Sequence, residues 1–163
     1  MPQLSDLSLN NSRVLLRVDF NVPLNQGGQV VNDKRIQACL PTIHHLIKQG
    51  ASLVIMSHLG RPNGQVVKSL SLKPIAAHLA NLLGRKVKFS TSCVGDAAEA
   101  EVQQLQPGDV LLLENLRFHK EETAGDRGFA KQLAKLGDCY VNDAFGTAHR
   151  AHASTSVIAA EFP

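Results

Sequence analysis

The sequence predicts an α/β fold: a doubly wound, mainly parallel sheet with helices on both faces. Three observations carry the prediction. Short runs rich in Val, Leu, Ile, Phe and Tyr alternate along the chain with longer stretches at helical spacing. Several of the short runs have unbroken apolar centres, the pattern of strands covered on both faces. Three of the helical stretches stop at a glycine, at Gly50, Gly84 and Gly137. Strands alternating with helices pair in parallel through right-handed crossovers, which places helices on both sides of one open sheet.

The strands are expected in "RVLLRVDF" (13–20), "ASLVIM" (51–56), "KVKFS" (86–90), "DVLLLEN" (109–115) and "DCYVNDAF" (138–145). In "DKRIQACLPTIHHLIKQG", Ile36, Leu40, Ile43 and Ile47 recur every three or four residues, with Asp33 placed to cap and Gly50 to stop. Pro41 falls inside that stretch, where a proline costs about 3 kcal/mol, so a kink or a later start is expected. "SLSLKPIAAHLANLLG" reads as a helix capped by Ser71, with Pro74 in its first turn and Ile75, Leu79, Leu82 and Leu83 facing inward. A weaker helix is expected in "GDAAEAEVQQLQ", before the turn at Pro107 and Gly108. In "AGDRGFAKQLAKLG", Asp126 is placed as the cap and Phe129, Leu133 and Leu136 face inward.

At 163 residues and 44% apolar content the chain can bury one sizeable core, and no low-complexity linker divides it. A net charge of only +3 and an aromatic content of 4% argue against base stacking and nucleic-acid binding. No apolar run approaches the ~20 residues of a membrane span, and no leader pattern opens the chain, so a cytoplasmic protein is expected. Cys39, Cys93 and Cys139 are odd in number and scattered, which predicts buried thiols in a reducing compartment.

Polar residues gather where the strands should end. Asp19 and Asn21 follow the first strand, Ser57, His58 and Arg61 the second, Asn115 and Arg117 the fourth, and Asn142 and Asp143 the fifth, with Arg150 shortly beyond. Arg35 opens the first long helix, at an N-terminus that itself favours anions. In a parallel sheet all of these open onto one rim, outside the carboxyl ends of the strands, where ligands bind. Four arginines and a histidine converging there would repel one another unless an anion lay between them, and guanidinium forks suit phosphate and carboxylate oxygens. The pattern points to a small, phosphorylated polyanion. Private ion pairs are the competing reading for any one arginine, as for Arg17 with Asp19 on the same strand face.

His44, His45 and His78 lie in helical stretches and are expected to be solvated or partly buried. His149 and His152 stand in an HxxH spacing with no evident third ligand, so no metal site is expected. His58 is expected to be a cationic imidazole adding one donor to a phosphate. The chain carries no GxxxxGK[ST], GxGxxG or GxSxG.

"RVLLRVDFNVP" (13–23), "SHLGRP" (57–62), "LLLENLRFHKEE" (111–122) and "NDAFGTAHRAHAST" (142–155) together resemble the N-terminal domain of phosphoglycerate kinases, in order and over nearly the whole chain. The resemblance implies one Rossmann-like domain of a normally two-domain enzyme, with residues 1–163 forming the phosphoglycerate-binding domain and the nucleotide-binding domain absent from this chain. It implies reversible phosphoryl transfer from 1,3-bisphosphoglycerate to ADP in glycolysis, with Mg-ADP or Mg-ATP held by the other domain and no cofactor here. Carried over by position, Asp19 and Asn21 would meet the hydroxyl and carboxyl end of the glycerate. Arg35 would face the same end and steady the phosphoryl group in flight. His58, Arg61, Arg117 and Arg150 would hold the C3 phosphate.

Three expectations follow: a monomer, without nucleic-acid or membrane partners; weak binding of 3-phosphoglycerate by the isolated chain, with no turnover; and an edge loosened where the family's C-terminal tail packs back on this domain. Two rival readings are a stand-alone sensor or carrier for phosphorylated metabolites and a nucleic-acid module using the basic rim.

Overall fold

A computed structural model describes residues 9–144 and 152–162. Arg150 and His149 lie outside the described residues. Five strands form one sheet: β1 Arg13–Val18, β2 Ser52–Met56, β3 Val87–Ser90, β4 Val110–Leu113 and β5 Cys139–Asp143. Their order is β3-β4-β2-β1-β5, and every pairing is parallel. The helices are α1 Lys34–Lys48, α2 Lys73–Leu83, α3 Asp96–Gln103, α4 Lys120–Ala124 and α5 Arg127–Ala134, with a terminal 3-10 helix at Val157–Glu161. Among the described residues no helix is long and apolar enough to cross a membrane.

The period-two alternation of the strands divides the core into two layers. Val14, Leu16 and Val18 of β1, with Leu53, Ile55, Val110 and Leu112, pack against α1 and α2. Leu15, Val54, Met56, Leu111 and Leu113 point the other way, against α3, α5 and Ile158 of the terminal 3-10 helix. β2 is fully buried, whereas the edge strands β3 and β5 are largely half-exposed. Cys39 and Cys93 are buried free thiols; Cys139, on the edge strand β5, is only half-buried, contrary to expectation.

α1 runs unbroken through Pro41. Pro41 and Gln37 both lie on the exposed side of the helix, where water can satisfy the carbonyl that proline leaves without a donor, while Ile36, Cys39, Ile43 and Leu46 anchor the opposite face. Asp33 makes no cap bond, because its carboxylate accepts from Gln37 Nε2 at 2.7 Å and pairs with His78 Nε2 at 2.8 Å, tying α1 to α2. Asn32 Oδ1 accepts from the Lys34 N–H instead. Ser71 caps α2 as predicted, its Oγ accepting from the Lys73 N–H at 3.2 Å; its hydroxyl also donates to Glu114 Oε2, and Glu114 Oε1 accepts from the Leu72 N–H at 2.8 Å. A carboxylate from the end of β4 thus serves the positive end of α2. Asp126 does cap α5, accepting from the Phe129 N–H at 2.7 Å.

Gly137 joins α5 to β5 by passing against β1. A Cβ there would lie 2.8 Å from Leu15 Cβ and 3.0 Å from Leu15 N. The neighbour is the backbone of an inner strand, which has little room to give. Gly137→Ala is expected to lower the unfolding free energy by about 1–3 kcal/mol in urea titrations with an unchanged slope; an unaltered midpoint would contradict this packing.

Candidate functional site

The parallel sheet delivers the chain to one rim five times, and a short series of contacts fixes three of the loops there. Asn115, at the end of β4, is buried and turned inward: its Nδ2 donates to the carbonyls of Leu59 and Leu70 at 2.8 and 2.9 Å, and its Oδ1 accepts from the N–H groups of Leu59 and Arg117. This amide clamps the "SHLGRP" loop to the Arg117 turn. Ser57 is also structural, its Oγ accepting from the Phe20 N–H at 2.9 Å. Gly60 sits at φ +64°, and a Cβ there would lie 2.8 Å from Leu70 Cδ2. Its N–H donates to Asn21 Oδ1 at 2.9 Å, and its carbonyl accepts from Arg117 Nη1 at 3.4 Å.

Two clefts open on this framework. Arg61, Asn63, Gly64, Arg117, Thr123 and His152 line one of about 280 Å³. Asn21, Val22, Pro23, Asn32, Lys34 and Arg35 line another of about 310 Å³. Asn21 joins them, since its side chain holds Gly60 and its carbonyl accepts from Arg35 Nη1 at 3.0 Å. Arg35 is 56% exposed and lies 3.4 Å from Asp19 Oδ2, close enough to be steadied and free enough to swing toward a ligand. Of the sequence-predicted set, the structure therefore brings Asn21 and Arg35 to one cleft, with Asp19 held against both from behind, and Arg61 and Arg117 to the other. Asn142 is occupied locally, accepting from the Ala144 N–H at 2.8 Å.

His58 differs from expectation. It is 3% exposed and is not among the residues lining either cleft. Its Nδ1 lies 2.9 Å from Arg17 Nη2. Burial first, and then the positive charge of Arg17, Arg117, His152 and Arg35, hold its pKa down to about 2, so the ring is neutral and not the predicted imidazolium.

Arg17 is the residue that sequence reasoning missed. It is fully buried and does not pair with Asp19. Its Nε donates to Ser154 Oγ at 2.8 Å, its Nη1 donates to the Val18 carbonyl, and Glu122 Oε2 lies 3.8 Å from Nη2. Burial lowers its pKa, and the Glu122 carboxylate opposes that shift. The signal was present: an arginine inside "RVLLRVDF", in a sheet covered on both faces, requires a buried counter-charge somewhere in the chain.

Comparison with known proteins accords with this geometry. A family model described as phosphoglycerate kinase matches residues 4–163. The chain is similar to the phosphoglycerate kinase of Moorella thermoacetica, 59% identical over 160 residues, covering 98% of this chain and 40% of that protein. It is 55% identical to that of Chlorobium phaeobacteroides over 155 residues, 95% of this chain and 39% of the relative. Among solved structures, phosphoglycerate kinase from Pyrococcus horikoshii superposes with a TM-score of 0.90 at 36% identity, covering 100% of this chain and 41% of that one. The enzyme from Coxiella burnetii gives 0.86 at 42% identity over 98% of this chain and 39% of that one. The chain spans about two fifths of the length of the curated relatives it matches.

The neutral state of His58 has a thermodynamic consequence. The ring takes up a proton readily only when the chain unfolds, so between about pH 2 and 6.5 the unfolded state binds more protons, and stability falls as pH drops through that window. His58→Gln removes this titration. Urea unfolding of that variant between pH 7 and 5 is expected to show a flatter pH dependence than the parent, by up to one proton; identical slopes would show that His58 is protonated in the fold.

Proposed function

The chain belongs to the phosphoglycerate kinase family, and from that premise we propose that it is the 3-phosphoglycerate-binding part of an enzyme transferring a phosphoryl group reversibly between 1,3-bisphosphoglycerate and ADP. The observation that carries the reading is a pair of cation-lined clefts whose walls are tied by the hydrogen bond from the Gly60 N–H, next to Arg61 of one, to Asn21 of the other. The metabolite has a phosphate at one end and a carboxylate at the other. Arg61 and Arg117 supply guanidinium groups for the C3 phosphate, and Asn21 and Arg35 supply donors for the carboxyl end. Asp19, accepting from the Asn21 N–H and adjoining Arg35, is placed for the glycerate hydroxyl. Arg150 joins the phosphate set on the family resemblance alone.

Phosphoryl transfer demands positioning and neutralisation of charge on the equatorial oxygens and little covalent work from the protein. Arg35, exposed and loosely held, is the group that can follow the phosphoryl as it leaves the carboxyl end. A second domain closing over the rim excludes water from the acyl phosphate. Magnesium nucleotide belongs on that domain. Apart from the single carboxylate of Asp19, the groups at this rim are guanidinium and amide, and among the described residues no three His, Cys, Asp or Glu side chains cluster to hold a metal ion. The residues present therefore do not fit a resident metal, and no step here runs through one. On this reading the protein serves glycolysis as a cytoplasmic monomer. The relatives compared are kinases, which lends a stand-alone sensor no support.

Calorimetric titration of the chain with 3-phosphoglycerate is expected to show weak binding, and assay of the chain alone is expected to show no ATP formation. Arg61→Ala, Arg117→Ala and Arg35→Ala should each weaken binding roughly 10-fold or more, the loss of about 1.5–3 kcal/mol for a hydrogen bond to a charged group. Undiminished binding in all three, or turnover by the chain alone, overturns the proposal. Competition by RNA with a steep fall in affinity on adding salt would favour the nucleic-acid module instead.

A further inference from the structure

We propose that Arg17 is a positioning residue of this site: it fixes His58, buried behind the two clefts, as a neutral ring with the proton on Nε2, so that the ring next to the rim's arginines carries an N–H and no further charge. The inference rests on the phosphoglycerate reading above for its use, and on geometry for its substance.

Arg17 pairs with Met56 across the β1–β2 ladder, and His58 follows Met56 by two residues. Side chains two apart share a face of the strand, so the guanidinium and the imidazole are neighbours by register. A guanidinium has donors and no acceptor. With Arg17 Nη2 at 2.9 Å, His58 Nδ1 must accept, and a neutral ring then carries its proton on Nε2. Protonating Nδ1 would set two donors against each other.

The arginine is itself held on its other sides. Ser154 Oγ accepts from Nε, the Val18 carbonyl accepts from Nη1, and Glu122 balances the charge. Glu122 is fixed in turn by the Ser154 N–H at 2.8 Å and by the Ser154 hydroxyl. The guanidinium therefore cannot turn away from the ring without breaking buried, charge-assisted bonds. The charged and titratable groups facing His58 are Arg17 from β1, Arg117 from the turn after β4, His152 from the final segment and Arg35 from the start of α1. All of them oppose an imidazolium.

The purpose follows from the neighbours. Arg35, Arg61 and Arg117 already supply positive charge at the rim, and one more buried cation would add repulsion in the absence of substrate. A neutral ring with a fixed tautomer donates a hydrogen bond without that cost, and its donor does not change with pH near neutrality.

The test is ¹⁵N NMR of the histidine rings in the full 163-residue chain, without ligand, between pH 8 and 5. His58 is expected to show the Nε2–H tautomer throughout, without titration. In the double variant Arg17→Met, Glu122→Gln, which leaves no orphaned buried charge, the ring should show mixed tautomers and a pKa at least one unit higher. The affinity for 3-phosphoglycerate at pH 7.5 should fall at least 5-fold. An Nδ1–H or protonated ring in the parent chain overturns the proposal even if the variant fails to fold. An unaltered tautomer or affinity in a folded variant overturns it too. Failure of the parent chain to bind 3-phosphoglycerate would sink the functional reading while leaving the tautomer result to stand by itself.

Discussion

Arg17 places a permanent charge inside a sheet covered on both faces, and the surrounding elements are arranged so that this charge can be tolerated. Removing a guanidinium from water costs several kcal/mol even after relaxation, and only good geometry and satisfied hydrogen bonds offset it. Here the compensation comes from remote parts of the chain. Ser154 is 137 positions away, and Glu122 belongs to a helix of five residues with little packing of its own. Tyr140 Oη donates to the Ser154 carbonyl at 2.7 Å, and the Ala153 N–H donates to the Glu122 carbonyl at 2.9 Å. The segment entering the terminal 3-10 helix is thereby pinned to β1, β5 and α4 through the same buried group.

The rim inherits its precision from that arrangement and from a second one. Parallel strands bring successive loops to one edge but do not fix their conformation. Asn115 does so for two of them, bonding the backbone of Leu59 in the "SHLGRP" loop, of Leu70 before α2 and of the Arg117 turn. Gly60 then takes a left-handed conformation that turns its N–H to Asn21 and its carbonyl to Arg117. Three strand ends are thus linked, through the peptide groups of Gly60 together with the side chains of Asn21 and Arg117. A cradle of cations set on a backbone network can stay open without an anion to hold it together.

Much of this was legible in the sequence. The two periodicities located all five strands and the main helices, and the rule that ligands sit beyond the carboxyl ends of parallel strands selected Asn21, Arg35, Arg61 and Arg117. What escaped depended on partners distant in sequence. Asp33 looked like a cap, but His78, 45 positions on, claims its carboxylate. Glu114, from the end of a strand 43 positions on, joins Ser71 at the start of α2. His58 looked cationic because it follows a strand in one loop with Arg61, and Arg17 looked like half of a local pair because Asp19 was near. In both cases burial reversed the electrostatic reading, and burial is a property of the folded whole.

The central claim is that one edge of the sheet gathers its cations into two joined clefts for a metabolite charged at both ends. A co-crystal structure of the chain with 3-phosphoglycerate tests this most directly. The account requires the phosphate between Arg61 and Arg117 and the carboxylate beside Asn21 and Arg35. A ligand seated away from these side chains, or bound with its ends reversed, would contradict it.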